Sequence, residues 1–365
     1  KQGNKYLDSL AGIGVCGLGH AHPAITATIM DQAGKLLHTS NTYLIANQIE
    51  LAEKLAAVSG MEQVYFCNSG AEANEAAIKL ARLYARKKGI ENPIMITMNN
   101  SFHGRSLATL SASGTERIRV GFEPLVKEFI YVDLNDEAAL DEAVNQHREN
   151  IVAIMLEPIQ GDGGIHIAET SYLKKIRALC DKEDWLMILD EVQTGIGRTG
   201  KWFYHQYTDI QPDVMTVAKA LGNGIPIGAC LARSKACNLF GPGKHGTTFG
   251  GSPFVCAVGL SVLNTMEKEN LVKHAAEMGA YLLAKLKEAL KKYPSVVDVR
   301  GRGLMIGVEL DRSCMELTKI GLKHKILFNV TFNKVIRLLP PLIINQSEAD
   351  EIVKRIDLSI AEFLA

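Results

Sequence analysis

Leu186-Met187-Ile188-Leu189 runs directly into Asp190-Glu191-Val192-Gln193, and a second apolar run, Val214-Met215-Thr216-Val217, leads into Ala218-Lys219-Ala220-Leu221-Gly222-Asn223-Gly224. Runs this short and this apolar read as strands covered on both faces of a sheet. In open α/β sheets the carboxyl ends of such strands border the crevice where ligands bind, so Asp190 and Lys219 are expected in one crevice. A lysine there, among small residues and glycines, is partly desolvated. Desolvation lowers its pKa and makes the amine a usable nucleophile. Taken singly, a strand-terminal Asp and a surface Lys are ordinary features. On successive strands, 29 positions apart, they make a site.

Outward from this pair, further strands are expected at Gln63–Cys67, Ile94–Met98, Phe129–Val132, Ile151–Leu156 and Gly228–Ala232, with helical patterns at Ala71–Lys88, Asp136–His147 and Ser171–Glu183. The alternation reads as an α/β layered domain with a mostly parallel seven-stranded sheet. After residue 253 the pattern changes. Helices at Pro253–Lys268 and Leu271–Lys292, strands near Val296–Val299 and Leu304–Glu309, a helix at Met315–His324, a strand at Val335–Leu338 and a helix at Ser347–Phe363 describe a smaller α+β domain. The expected divisions are an N-terminal segment, 1–40, with a helix near Pro23–Leu36 and packed on the small domain; a large domain, 41–252; and a small domain, 253–365.

Lys+Arg and Asp+Glu both number 40, so charge offers no case for nucleic acid or an anionic membrane. No run of about 18 apolar residues occurs, and no signal peptide is visible, so no membrane span is expected. The seven cysteines are odd in number, widely spaced and without a C-x-x-C, which argues against a disulfide framework or structural zinc and for a reducing cytoplasm. Lys1 stands in place of a methionine, so residues are expected to precede it.

Gly12-Ile13-Gly14-Val15-Cys16-Gly17 and Gly195-Ile196-Gly197-Arg198-Thr199-Gly200 both match G-x-G-x-x-G. A dinucleotide fingerprint needs a strand before it and a helix opening on it, and neither match has both. His20-Ala21-His22 has no carboxylate or Cys at ligand spacing beside it, and reads as loop before a helix opened by Pro23; no metal is expected.

Cys67-Asn68-Ser69-Gly70-Ala71-Glu72 follows a strand and opens a long helix. The N–H groups of Gly70 and Ala71, with the Ser69 hydroxyl, could cradle a phosphate; an ordinary Ser N-cap would look the same. In Ser101-Phe102-His103-Gly104-Arg105 the aromatic could stack on a ring and the Arg could pair with a carboxylate, or both could be plain loop residues. Gly246-Thr247-Thr248-Phe249-Gly250-Gly251 is an anion loop or a plain turn. A reactive lysine, a carboxylate to keep a pyridine nitrogen protonated, and a phosphate cradle are together what pyridoxal phosphate requires.

These motifs, in this order, resemble the class III aminotransferases of the aspartate-aminotransferase fold (fold type I). Tyr6-Leu7-Asp8, Gly19-His20-Ala21-His22-Pro23, Asn68-Ser69-Gly70-Ala71-Glu72-Ala73, Phe102-His103-Gly104-Arg105, Glu157-Pro158, Asp190 to Gly200, Ala218-Lys219 and Thr248-Phe249-Gly250-Gly251 carry the likeness. His38-Thr39-Ser40-Asn41, Asp311-Arg312, Asn329-Val330-Thr331 and Val335 to Leu342 are most similar to the members acting on acetylornithine. The resemblance implies that Lys219 carries pyridoxal 5'-phosphate and shuttles the proton, with Asp190 on the pyridinium. It places Gln193 on the ring hydroxyl, Val192 and Phe102 on the two ring faces, and Ser69, Gly70 and Ala71 on the phosphate. Thr248 would reach the phosphate of a second copy, in a homodimer with shared active sites. Arg105 would bind a substrate carboxylate and Arg337 the α-carboxylate of glutamate or 2-oxoglutarate, with Asn41 and Glu157 beside the substrate. The implied reaction is amine transfer from N2-acetylornithine to 2-oxoglutarate, within arginine biosynthesis. Succinylornithine, ornithine and 4-aminobutyrate are alternative donors, and a non-catalytic relative is the reading from another class. Similar enzymes carry Glu where this chain has Asp162, which implies a looser switch between substrates, and ornithine-acting members tend to carry Tyr at Leu44.

Overall fold

The computed structural model describes residues 3–365; Lys1 and Gln2 of the N-terminal segment lie outside the described residues. Seven strands form the large sheet: β1 (Gln63–Cys67), β2 (Ile94–Met98), β3 (Phe129–Val132), β4 (Ile151–Leu156), β5 (Leu186–Asp190), β6 (Val214–Val217) and β7 (Gly228–Ala232). Their order is β1-β7-β6-β5-β4-β2-β3. β7 runs antiparallel to both neighbours, and the other pairings are parallel. Every residue of β4 and β5 is buried, because helices cover both faces. Leu186 and Ile188 pack in the layer of α3 (Gly70–Lys87), while Met187 and Leu189 pack in the opposite layer with α4 (Glu137–His147) and α5 (Thr170–Lys182). That two-sided burial is why these strands lack polar alternation.

Helix α3 begins where Ser69, in extended conformation, accepts a hydrogen bond from the Glu72 N–H at 3.2 Å, and Glu72 Oε2 accepts from the Asn68 N–H at 2.6 Å. The Ser69 hydroxyl satisfies a donor that the first turn leaves unpaired, and Glu72 ties the residue before the cap to the helix. Ala73, Ala77, Leu80, Ala81 and Tyr84 recur at helical spacing and face the sheet.

A second, antiparallel sheet holds β8 (Val296–Arg302), β9 (Met305–Leu310), β10 (Asn329–Thr331) and β11 (Val335–Leu338), in the order β8-β9-β11-β10. Helices α7 (Leu271–Leu290) and α8 (Gln346–Leu364) pack with it, in an apolar core continuous with α6 (Pro253–Lys268) and α2 (Ala46–Ser59). Helix α2 had no expected counterpart: of its 14 residues only Leu51, Leu55 and Ser59 are buried, a stripe too narrow to stand out in the sequence. Helix α1 (Pro23–Ala33) packs on α6.

Both G-x-G-x-x-G matches have steric explanations. Ala11, Gly12, Ile13 and Gly14 all adopt positive φ, a left-handed turn whose first N–H groups, of Leu10 and Ala11, donate to Asp8 Oδ1 at 2.9 and 2.8 Å. In the second match, Arg198 lies fully buried. Its Nη1 donates to the carbonyls of Leu304 (3.0 Å) and Pro340 (2.5 Å), joining the loop after β5 to one end of the second sheet, where the start of β9 lies beside the end of β11. A Cβ on Gly200 would stand 2.7 Å from that of Ala276 in α7, and one on Gly303 would stand 2.3 Å from the Thr199 carbonyl carbon. Glycine is required here for close packing, not for a dinucleotide. At Gly279 in α7 an added Cβ would meet the Gly303 backbone at 2.2 Å. We expect Gly279→Ala to destabilise the protein by about 1–3 kcal/mol, the range for forced overpacking, read as a lower midpoint in urea unfolding.

Candidate active site

Beyond the carboxyl ends of β5 and β6, where the chain turns away from the sheet, lies a cavity of about 600 Å³. Asp190 ends β5. Its Oδ2 accepts from Asn74 Nδ2 at 2.7 Å and lies 2.8 Å from His103 Nδ1; its Oδ1 accepts from the Val192 N–H at 3.0 Å. An ionised carboxylate only accepts, so the imidazole donates from Nδ1. Asn74 comes from the cavity face of α3, and its Oδ1 accepts from Thr216 Oγ1 in β6 at 2.7 Å.

Lys219 follows β6 with φ +44°, the left-handed region, which a residue with a Cβ occupies only when its surroundings hold it there. Burial, reinforced by the positive charge of Arg337, brings its amine down to about 8; the carboxylates of Asp190, Glu157 and Asp162 oppose the shift. Glu157 is buried and pushed up to about 7, chiefly by loss of solvent, although its two oxygens accept from the N–H groups of Phe102 and Gly161 at 2.9 Å each. Glu191, also raised by burial to about 7, points away from the cavity and accepts from Thr194 Oγ1 and the N–H groups of Tyr204 and His205.

Ten of the residues singled out in the sequence line the cavity: Ser69, Gly70 and Ala71 at the start of α3, Phe102 and Arg105 on the loop after β2, Glu157 after β4, then Asp190, Val192, Gln193 and Lys219. The Arg105 guanidinium lies 5.8 Å from the Phe102 ring centre. Three are placed elsewhere. Arg337 lies behind the wall rather than on it, its side chain 2% exposed, because its Nη1 pairs with Asp162 Oδ1 at 2.9 Å and Asp162 itself forms the lining. Asn41 spends its amide on the carbonyls of Thr247 and Gly250, at 3.2 and 3.1 Å, so it braces that loop instead of reaching the cavity. Thr248 is exposed on the same loop, outside the cavity of its own chain. Sequence reasoning passed over Asn74 and His103, which hold Asp190. His103 stood inside a quoted motif, but nothing local linked Asn74 to a carboxylate 116 positions away. It also passed over Ile13, Val15, Ile225 and Ile227, which supply apolar lining.

The residues present fit a phosphorylated pyridine. The first N–H groups of an 18-residue helix open at Gly70 and Ala71. Gln193 Oε1 is buried without a partner, an acceptor suited to a ring hydroxyl. A Cβ on Gly161 would stand 2.5 Å from that atom, and one on Gly70 2.8 Å from Val192 Cγ1, so both glycines leave room for side chains that line the cavity.

The family model of aminotransferase class III matches residues 1–360. A curated relative, acetylornithine aminotransferase 1 of Bordetella bronchiseptica, is 51% identical over 99% of this chain and 92% of its own. Among solved structures, an N-acetylornithine aminotransferase from Stenotrophomonas maltophilia superposes with a TM-score of 0.87 at 37% identity, over 100% of this chain and 93% of its own. An ornithine aminotransferase from Toxoplasma gondii, described with partial occupancy of PLP at its active site, superposes with a TM-score of 0.93 at 34% identity, over 98% of this chain and 86% of its own.

The lowered pKa of Lys219 has a direct readout. In protein stripped of carbonyl ligands, its modification by a small aldehyde, trapped with borohydride and located by peptide mass, should rise with pH and level off above about 8. An exposed lysine would continue to gain reactivity to about pH 10.

Proposed function

Because the chain belongs to the class III aminotransferases, we propose that it moves the terminal amine of N2-acetylornithine to 2-oxoglutarate, giving N-acetylglutamate 5-semialdehyde and glutamate in arginine biosynthesis. It is a pyridoxal-phosphate-dependent transaminase. The observation that carries the reading is a buried lysine poised near pH 8 in one cavity with Asp190. Acetylornithine as the donor is supported by the name of the relative at 51% identity. The apolar side chains of Ile13, Val15, Ile225 and Ile227 also suit a neutral acylated amine better than the second ammonium of free ornithine.

When bound, pyridoxal phosphate supplies the carbonyl that takes up the amine and the ring that accepts an electron pair. Asp190, held by three donors, stays positioned to bind a protonated ring nitrogen. Phe102 and Val192 would flank the ring, and the N–H groups of Gly70 and Ala71 would hold the phosphate. Lys219 Nζ, about half of it neutral near pH 8, would take the proton from the substrate carbon and hold it for return. Arg105, at the cavity edge, pairs with the substrate carboxylate. Asp162 covers Arg337 while the acylated donor occupies the cavity. A dicarboxylate displaces Asp162 and pairs with Arg337 directly, so one cavity serves both substrates.

A homodimer is part of the proposal. Tyr43, Leu44 and Phe249 are 70, 92 and 66% exposed around the loop that carries Thr248, and a second copy would cover them while Thr248 reached its phosphate. The seven cysteines are all unpaired thiols, which supports a cytoplasmic setting.

The decisive experiment is an absorbance spectrum of the purified holoenzyme. N2-acetylornithine should remove the visible cofactor band and 2-oxoglutarate should restore it. A band that responds to ornithine but not to its acetyl derivative would move the assignment to free ornithine. Lys219→Ala should retain pyridoxal phosphate without a covalent link and lose turnover by at least about a thousandfold, of the order seen when a catalytic base is removed. Asp162→Asn removes the negative charge that pairs with Arg337 and makes its side chain easier to displace, and should shift the kcat/KM preference from acetylornithine toward glutamate by about tenfold, equivalent to about 1.4 kcal/mol.

A further inference from the structure

We infer that Asn74 is the positioning residue for Asp190, acting as an obligate double donor, so that an isosteric aspartate at position 74 would disable cofactor binding in a pH-dependent manner. The inference rests on the transaminase reading of the cavity. Asn74 is buried, and one atom, its Nδ2, lies 2.7 Å from Asp190 Oδ2 and 2.8 Å from the His103 carbonyl oxygen. A carbonyl only accepts, and so does an ionised carboxylate. Both contacts are therefore satisfied only if the atom facing them carries two hydrogens, which a side-chain amide offers and a carboxylate or hydroxyl does not. The other end of the amide is consistent with this orientation: Thr216 Oγ1 donates to Asn74 Oδ1 at 2.7 Å, leaving the –NH2 toward Asp190.

The bonds tie three elements together. Asn74 is on the helix whose first turn opens on the phosphate end of the cavity, Thr216 is on β6 three residues before Lys219, and His103 adjoins Phe102. No Lys or Arg lies within salt-bridge distance of Asp190 among the described residues; among them His103 is its one ionisable neighbour at that range, so neutral donors carry much of its stabilisation. Breaking the Asn74 bond leaves a buried carboxylate short of a donor, which is costly. Replacing it with Asp also sets two carboxylates against each other at hydrogen-bond distance, and such a pair holds a proton that neither would hold alone.

The test uses full-length holoenzymes of the wild type, Asn74→Asp and Asn74→Ala. Retained pyridoxal phosphate is read after dialysis by alkaline release, kcat and KM are read between pH 6 and 9, and unfolding midpoints are read alongside. Asn74→Asp should lose cofactor at least tenfold at pH 8. Its kcat relative to wild type should fall as pH rises, as the carboxyl pair gives up its shared proton. His103, Glu157, Glu191 and Lys219 are the titratable groups around the pair, and all are present in each protein, so the ratio isolates the new carboxyl. Asn74→Ala, without added charge, should lose several-fold in cofactor retention, with a ratio to wild type that does not change with pH. The inference is overturned if Asn74→Asp keeps cofactor and kcat within twofold of wild type across that range. It is also overturned if both variants lose activity only in step with their unfolding midpoints, at a pH-independent ratio. A wild-type protein that retains no cofactor would overturn the transaminase reading and this inference together, an outcome distinct from failure in the variants alone.

Discussion

A carboxylate buried at the end of a central strand is the constraint on which the site depends. Asp190 has nine-tenths or more of its surface removed from water, and its partners are an amide, an imidazole and a backbone N–H. Each comes from a different stretch of chain. Holding the charge there therefore requires α3, the loop after β2 and the turn after β5 to converge on one point. The same convergence brings the first turn of α3, Phe102 and Gln193 to the cavity wall. The parallel order of β4, β5 and β6 makes this possible, since it places the carboxyl ends of all three on one side of the sheet.

The second sheet is attached by backbone contact. Gly200 against Ala276, Gly303 against Thr199 and Gly279 against Gly303 leave no room for a Cβ, and Arg198 reaches through the contact to the carbonyls of Leu304 and Pro340. No carboxylate accompanies this guanidinium within salt-bridge distance among the described residues, and burial lowers it to about 9. One of its carbonyl partners, Pro340, lies three residues beyond Arg337. Arg337 is itself fixed by Asn329 Oδ1 at 3.1 Å and by Asp162 at 2.9 Å. A glycine pattern that imitates a nucleotide fingerprint thus helps to fix the end of the strand that carries Arg337, behind the cavity wall.

The strands were legible because burial on both faces removes polar alternation, a signal confined to a few neighbouring residues. Lys219 and Asp190 were legible for the same reason, each closing such a run. Helix α2 was not, since a stripe of Leu51, Leu55 and Ser59 looks like any mixed segment. The reversal of β7 was not legible either, because a buried strand carries no mark of its direction. Asn74 illustrates the general limit. On α3 it is one polar residue in an amphipathic helix, and its importance comes from an aspartate and a histidine that only the tertiary fold brings to it. Arg337 shows the reverse case: its presence was readable in the sequence, but its concealment behind Asp162 was not.

The opposed shifts of Lys219 and Glu157 follow from one cause. Burial disfavours whichever form is charged, so the same loss of solvent takes an amine down to about 8 and a carboxyl up to about 7. The shifts stop there because the charges counter one another: Asp190, Glu157 and Asp162 pull the lysine back up, and Arg337 pushes it down. Without those carboxylates the amine would lose its proton at a lower pH and be a weaker base; without burial it would keep its proton at neutral pH. The balance leaves Lys219 able to take and return a proton near neutral pH at little free-energy cost in either direction, as a transfer that runs both ways requires.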